Sequence, residues 1–433
     1  MLSLSSAEPG APAPGLDRLS VGARLLTPDH WRLLWLLGAA SFFEGYDLNV
    51  LIVALPRLRA TYHLSQGDAS LWVSLIYLGA LPAVVLARKA DRHGRRRLLL
   101  VSISGYTVAT LATALAPSIG TFVAFQCVAR FFLGVETALV WTLVAEELPA
   151  RARGLGFGWL ATLSALGVGW SAILYGTILE PANVSWRWLY VAAVPVLAVT
   201  TVLRRRLPES RRFAVASRAR KLARPWTSIL RPPYRKSLLL IGVTAVLLSL
   251  TTQAVVFVVD FMQTERHLSA TTADLVVVGA GAIAIPVLLM AGSMSDRYGR
   301  KPICCLFLII SAVGLFSFFI LARGRGELFG ALALAYIGQF GSWPTSSGFG
   351  AELFPTPLRA LGGSAVGAAR VVGQALSFVI AGSLIHAGGG VARSVVVLAA
   401  GPLAGAVLIG MFFPETAGRE LESTSADNDV SPS

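Results

Sequence analysis

The sequence carries little charge for its size. Of its 433 residues only 14% are Asp, Glu, Lys or Arg, against 55% hydrophobic, whereas soluble domains carry about a quarter charged residues. That shortage excludes an ordinary soluble fold and fits a chain solvated by lipid. Cysteine is scarcer still. Cys127, Cys304 and Cys305 all fall inside apolar stretches, with no metal-ligand spacing to a histidine, so neither a disulfide framework nor a zinc site is expected. The five histidines, His30, His63, His93, His267 and His386, lie in tails, loops or helix ends. There is no nucleophile and base pairing, metal cluster or phosphate-cradling glycine loop, which argues against an enzyme and against any cofactor. Residues 1–30 lack the apolar core, roughly 7 to 15 residues long, of a cleavable signal peptide. They read as a flexible cytoplasmic tail, as do residues 414–433.

What is abundant is apolar sequence. A membrane span needs roughly 20 mostly apolar residues. Twelve stretches qualify: 31–55, 70–88, 98–117, 119–143, 155–180 and 187–204, then 237–262, 273–293, 303–322, 327–350, 362–386 and 393–413. The expected fold is an all-α membrane protein, with one six-helix bundle at 31–204, a second at 237–413 and a basic linker at 205–236. With both termini inside, cytoplasmic segments hold 28 of the 37 Lys and Arg, outer loops hold 7, and Arg130 and Arg370 lie within spans. This asymmetry supports the orientation by the positive-inside rule. The net charge of +14 does not imply a nucleic-acid partner. Its basic residues sit in short runs between apolar stretches, where they set topology and meet anionic lipid.

The two halves repeat each other. ADRHGRRR at 90–97 returns as SDRYGRKP at 295–302, EELPARARG at 146–154 as ELFPTPLRA at 352–360, and PES at 208–210 as PET at 414–416. Three motif pairs at one spacing of 205 to 206 residues indicate a duplicated bundle. Each motif falls on the cytoplasmic side. The first pair resembles the loop signature of the major facilitator superfamily, Gly-x-x-x-Asp-Arg-x-Gly-Arg-Arg/Lys, between the second and third helices of each half. Gly292, Asp296, Arg297, Gly299, Arg300 and Lys301 fit it fully; in the first copy Asp91, Arg92, Gly94 and Arg95 fit, but Ala87 replaces the leading glycine. The acidic residues can pair with arginines across the cytoplasmic seam and form a gate with Glu146, Arg153, Glu352 and Arg359. The alternative is charge that only sets topology.

Ionisable groups inside spans are site candidates, because each costs roughly 2.5 to 3.5 kcal/mol to insert. Glu44 and Asp47 lie three residues apart in helix one, and Arg130 lies in helix four at a matching depth. Either carboxylate can therefore meet the arginine. If rocking of the halves separates such a pair, the desolvated carboxylate takes a proton, which couples transport to a proton gradient; the alternative is a static pair that fixes helix packing. Glu136, deeper in helix four, is either a relay or a side chain snorkelling to the inner surface. Asp260, near the outer end of helix seven, reads as an interface residue. Arg370, with Gln374 four residues on, suits an anionic substrate unless an acid from another helix pairs with it. Gln253, Gln339, Trp343 and Trp170 are further substrate-site candidates, mixing aromatic and polar groups as solute sites do.

FFEGYDL, EELPARARG, LPESRRF and PETAGRELE resemble the sugar-porter, organic-ion and aromatic-acid side of the superfamily. In its proton-linked members the first-helix Asp is the proton site and the fourth-helix Arg its partner, which carries over to Asp47 and Arg130. Helix seven lacks the sugar porters' Gln-Gln and Asn pattern, and Ser347 stands where helix ten would carry their Trp. The segment AELFPTPLRALGGSAVGAARVVGQ is similar instead to organic-ion and aromatic-acid transporters, whose helix-eleven Arg matches Arg370. The resemblance thus implies a proton-coupled symporter of a small organic acid, working as a monomer in the inner membrane. Drug efflux is the second choice, although the Gly-Pro motif of drug antiporters is missing from helix five. A non-transporting sensor is a third, disfavoured because Asp47 and Arg130 remain and both tails are short.

Overall fold

A computed structural model describes residues 26–83, 95–149, 153–205, 232, 234–352 and 359–415. The described residues form twelve membrane helices. In the first half these are α1 (Pro28–Tyr62), α2 (Gln66–Leu78), α3 (Arg95–Ala114), α4 (Ile119–Glu147), α5 (Arg153–Ile173, prolonged by a π-helical turn Leu174–Leu179) and α6 (Arg187–Arg204). The second half has α7 (Tyr234–Thr264), α8 (Ala270–Tyr298), α9 (Arg300–Leu321), α10 (Arg325–Glu352), α11 (Arg359–Leu384) and α12 (Gly390–Phe412). Eight runs are long and apolar enough to cross a membrane, one of them, Gly362–Phe412, holding both α11 and α12. The linker 206–231 and the 84–94 loop lie outside the described residues.

Local chemistry sets several helix starts. Thr27 and Ser118 cap α1 and α4 in reciprocal boxes with His30 and Thr121, and Ser65 and Ser269 accept the backbone N–H of Asp68 and Thr272 to start α2 and α8. Such caps satisfy first-turn donors that lipid could not. Within the bundles, glycine lets helices meet at backbone distance. A methyl on Gly45 would run into the Ser164 carbonyl, and one on Gly167 into that of Phe42, so α1 and α5 pack directly through these residues.

The packing pattern repeats with a shift of six helices. In the first half α1 lies on α5, α2 on α4 and α3 on α4 and α6; in the second α7 lies on α11, α8 on α10 and α9 on α10 and α12. The halves meet through α2 on α11, α5 on α8 and α1 on α7. We call outer the end that bears the α1–α2, α5–α6 and α7–α8 connections. There one hydrophobic cluster runs through both halves, including Leu55, Tyr77, Tyr190, Phe261, Ala273 and Phe378. Toward the other end the clusters are separate, one around Leu34, Val140 and Leu160 and another around Ile241, Phe349 and Phe413. Among the described residues, the outer seam is therefore sealed by packing that the inner ends do not share.

Candidate functional site

Helix α1 presents Asp47 to the interior of the first bundle, where it is 3% exposed. Arg130 of α4 faces it, with Nη2 3.9 Å from Oδ2. That separation is an ion pair but too long for a hydrogen bond. The guanidinium lies over the Tyr77 ring of α2, 5.1 Å from its centroid, and Tyr106 of α3 approaches the Asp47 carboxylate. Among the described residues Asp47 Oδ2, Arg130 Nε and Nη2, and the Tyr106 and Tyr190 hydroxyls have no hydrogen-bond partner. At 3.9 Å two charges attract by about 4 kcal/mol in an effective dielectric near 20, against several kcal/mol to desolvate each ion. The attraction offsets only part of that cost. Glu44, one turn earlier and partly buried, reaches Thr137 of α4 instead. Of the two depth-matched carboxylates, Asp47 makes the ion pair.

Two expectations change here. Asp47 and Arg130 belong to the same bundle, so rigid rocking of the halves does not separate them; a shift of α1 against α4 must. Glu136 does not snorkel. It is buried in an ion pair with Arg204 of α6 and also accepts from Ser102 of α3. Arg204 is fully buried and donates through Nε and Nη2 to the Leu36 carbonyl at 3.3 and 3.2 Å. In sequence Arg204 is only the last residue of the span 187–204, next to the basic linker. Its two preceding helical turns are apolar, the only hint of burial.

The other candidates spread along the seam and the second half. Helix α7 is interrupted between Ser249 and Thr252 and again at Phe257. Gln253 sits on the short piece between the breaks, which packs against α11 and α1, and it is fully buried with neither amide atom hydrogen-bonded among the described residues. Arg370 and Gln374 lie one turn apart and partly buried on α11. On α10, Gln339 is partly buried and Trp343 half-exposed. Trp170 is placed elsewhere. It lines an apolar groove with Trp35, Phe42, Tyr46 and Val196, between α1, α5 and α6, because the face of α5 that carries it turns along α1 and α6.

Asp260 stands in the outer seam between the halves. It is fully buried on α7 and pairs with Arg59 of α1 at 2.5 Å, while Gln66 of α2 donates to its other oxygen at 3.0 Å. Ser70 donates to the Phe378 carbonyl at 2.8 Å, and Asp68 meets His386 at 3.2 Å. None of these cross-half contacts was visible in the sequence, since each joins residues roughly 200 to 300 positions apart.

Of the cytoplasmic gate motifs, Asp91, Arg92 and Gly94 lie outside the described residues. Arg95, Glu146, Arg153, Gly292, Asp296, Glu352 and Arg359 are placed only as helix backbone. The rest of the second copy is clear. Gly299 turns between α8 and α9 at φ +100°, a conformation suited to glycine, and Arg297 lies over the Tyr298 ring. Glu415, from the PET motif, accepts the backbone N–H groups of Arg300 and Lys301 at 2.8 and 3.2 Å. A carboxylate thus caps the positive end of α9, and two separate repeat motifs prove to be contact partners.

Comparison with known proteins agrees with this architecture. The chain is 24% identical over 435 residues to a probable 4-methylmuconolactone transporter of Cupriavidus pinatubonensis, covering 94% of this chain and 95% of that one. It is 28% identical over 183 residues to the niacin transporter NiaP of Acinetobacter baylyi, covering 42% and 41% of the two chains. Its fold matches an inward-open structure of the xylose transporter XylE from E. coli with a TM-score of 0.74 at 19% identity, over 91% of this chain and 98% of that one. The profile of the Major Facilitator Superfamily matches residues 37–261 and 239–432. With twelve helices in two repeated bundles and nearly the whole length matched, this integral membrane chain belongs to the Major Facilitator Superfamily, whose members transport solutes rather than transform them.

Proposed function

We propose that the protein is a proton-coupled symporter that takes up a small organic acid, aromatic acids foremost, by alternating access. The observation that carries this reading is the buried and incompletely hydrogen-bonded Asp47–Arg130 pair. A pair held 3.9 Å apart without a hydrogen bond can change protonation state: a proton on Asp47 cancels its attraction for Arg130 and lets α4 shift against α1. Asp47 is the proton acceptor, Arg130 its partner, and Glu44 a secondary acceptor one turn away.

The cargo would bind where the α7 break meets α11 and α1. Gln253 there has unused hydrogen-bonding capacity, Arg370 and Gln374 are on the adjoining α11, and Gln339 and Trp343 of α10 would complete the wall. A cation on α11 favours an anionic solute, and two relatives are named as a probable 4-methylmuconolactone transporter and a niacin transporter. The bundles 31–204 and 237–413, joined by the linker 205–236, rock against each other, with α4 shifting against α1 inside the first. Both termini are cytoplasmic and the membrane is the inner one, as the charge asymmetry supports. The outer-sealed arrangement is one end of the cycle, and the gate motifs close the opposite side at the other end.

Uptake into proteoliposomes of radiolabelled aromatic acids, aliphatic acids, polyols and cations, with and without an inward proton gradient, tests the reading. Gradient-driven accumulation of an acid is expected. Accumulation independent of the gradient, or export of cations against it, rejects symport in favour of uniport or drug efflux.

A further inference from the structure

Asp274 is a buried acid that the Asp47–Arg130 site leaves unused. It lies about one turn into α8 from the outer end and is 2% exposed, and neither carboxyl oxygen has a hydrogen-bond partner among the described residues. Its surroundings are made by the seam between the halves. Thr271 of the same helix donates to the Gly176 carbonyl across the seam at 2.7 Å. A Cβ built on Gly176 would stand 2.7 Å from Asp274 Oδ2. The carboxyl is therefore pressed against the π-helical turn that ends α5, at a place where only a glycine allows the approach.

The groups facing it do not neutralise a charge there. From the end of α5 come Tyr175 and Glu180, and Glu180 is held by Arg57 of α1. Of the other acids at this end, Asp260 of α7 is held by Arg59, Glu327 of α10 by the backbone N–H groups of Arg323 and Gly324, Asp68 of α2 meets His386, and Glu265 at the end of α7 lies beside Arg266. Arg57, the cation that holds Glu180, is thus already committed to an acid. Burying a lone carboxylate is far more costly than burying the neutral acid, and the seam supplies no compensation.

We propose that Asp274 is a second proton-binding site of this transporter, which takes a proton from the outer water as the α5–α8 seam closes and returns it by the same route when the seam opens. It goes beyond the uptake reading and stands without it, because it lies between the halves and not in the bundle core. The closed state holds one proton more than the open state. Falling outer pH therefore favours closure, changing the closed-to-open ratio by about tenfold per pH unit between the two states' titrations. His386, which meets Asp68 across the same rim, is the competing source of a pH response.

The test is the distance between spin labels on the outer loops of the two halves, read in lipid nanodiscs across a pH series. Ala182→Cys and His267→Cys carry the labels in the full chain, with Cys127, Cys304 and Cys305 replaced by serine. The open-seam population is expected to grow as pH rises. Asp274→Asn should keep the seam closed at every pH, whereas His386→Gln should retain the response. Asp274→Glu, which keeps the acid if the amide fails to fold, should retain it with a displaced midpoint. A pH response that survives unchanged in folded Asp274→Asn, or one that vanishes in His386→Gln, overturns the proposal.

Discussion

The first bundle buries two arginines against two carboxylates, and the pairs differ in how completely they are satisfied. Arg204 and Glu136 are in direct contact, and Ser102 and the Leu36 carbonyl take up further hydrogen bonds. Arg130 and Asp47 stand 3.9 Å apart, ringed by Tyr77, Tyr106 and Tyr190, with donors and an acceptor left over. Both pairs join one arginine to one acid at similar burial. The difference is the surrounding hydrogen-bond network, which commits the first pair to holding α3, α4 and α6 together and leaves the second able to change state.

The sharpest way to break this comparison is to neutralise each acid in turn. Asp47→Asn should abolish gradient-driven accumulation in proteoliposomes while leaving exchange across the membrane, and Glu136→Gln should leave accumulation per folded molecule near the wild-type level. Equal loss in both variants would erase the distinction. Next in size is the cost of stranding a charge. Arg204→Leu should lower stability by about 3 to 5 kcal/mol, because Glu136 is left buried without a partner, and adding Glu136→Leu should recover most of it. Arg130→Leu should lose less, since the Asp47 carboxyl it strands can take a proton and become neutral. Thermal unfolding of the purified variants in detergent measures both.

A smaller effect separates packing from charge. Gly45→Ala or Gly167→Ala forces α1 from α5 and should destabilise by about 1 to 3 kcal/mol, seen in the same unfolding experiment. Because Asp47 is two residues from Gly45 on α1, the first variant should also slow transport beyond its loss of folded protein. The smallest change is at the inner end of the second half. Glu415→Gln removes the charge that caps α9 and should cost about 0.3 to 1 kcal/mol. Hydrogen exchange should show it as faster exchange of the Arg300 and Lys301 amides, with that of α4 unchanged.

How much of this was legible in the sequence depended on distance along the chain. Most helix limits were readable to within a few residues because lipid demands a continuous apolar run, but α1 runs on to Tyr62 rather than 55 and α2 ends at Leu78 rather than 88, since an apolar run does not mark where a helix itself stops. That a first-helix carboxylate meets Arg130 was readable too, because depth in a membrane follows from counting along a helix at about 1.5 Å per residue. Rotation about the helix axis was not. It decides that Asp47 and not Glu44 meets Arg130, that Trp170 faces a groove between α1, α5 and α6, and that Glu136 finds Arg204. Rotation is set by which faces pack, and the apolar faces of a membrane helix look alike in sequence.

The chain by itself determined the solvent it lives in, the number of crossings, the duplication and the presence of charges at mid-depth. These follow from composition, run length and repeated spacing, all of them local or periodic properties. Only the tertiary structure decided which charges are satisfied and which are not: the closed network of Arg204, the loose pair at Asp47, the carboxylate of Asp260 locked to Arg59 and the stranded carboxyl of Asp274. Satisfaction depends on atoms brought together from as many as four helices, and no one-dimensional pattern records that convergence.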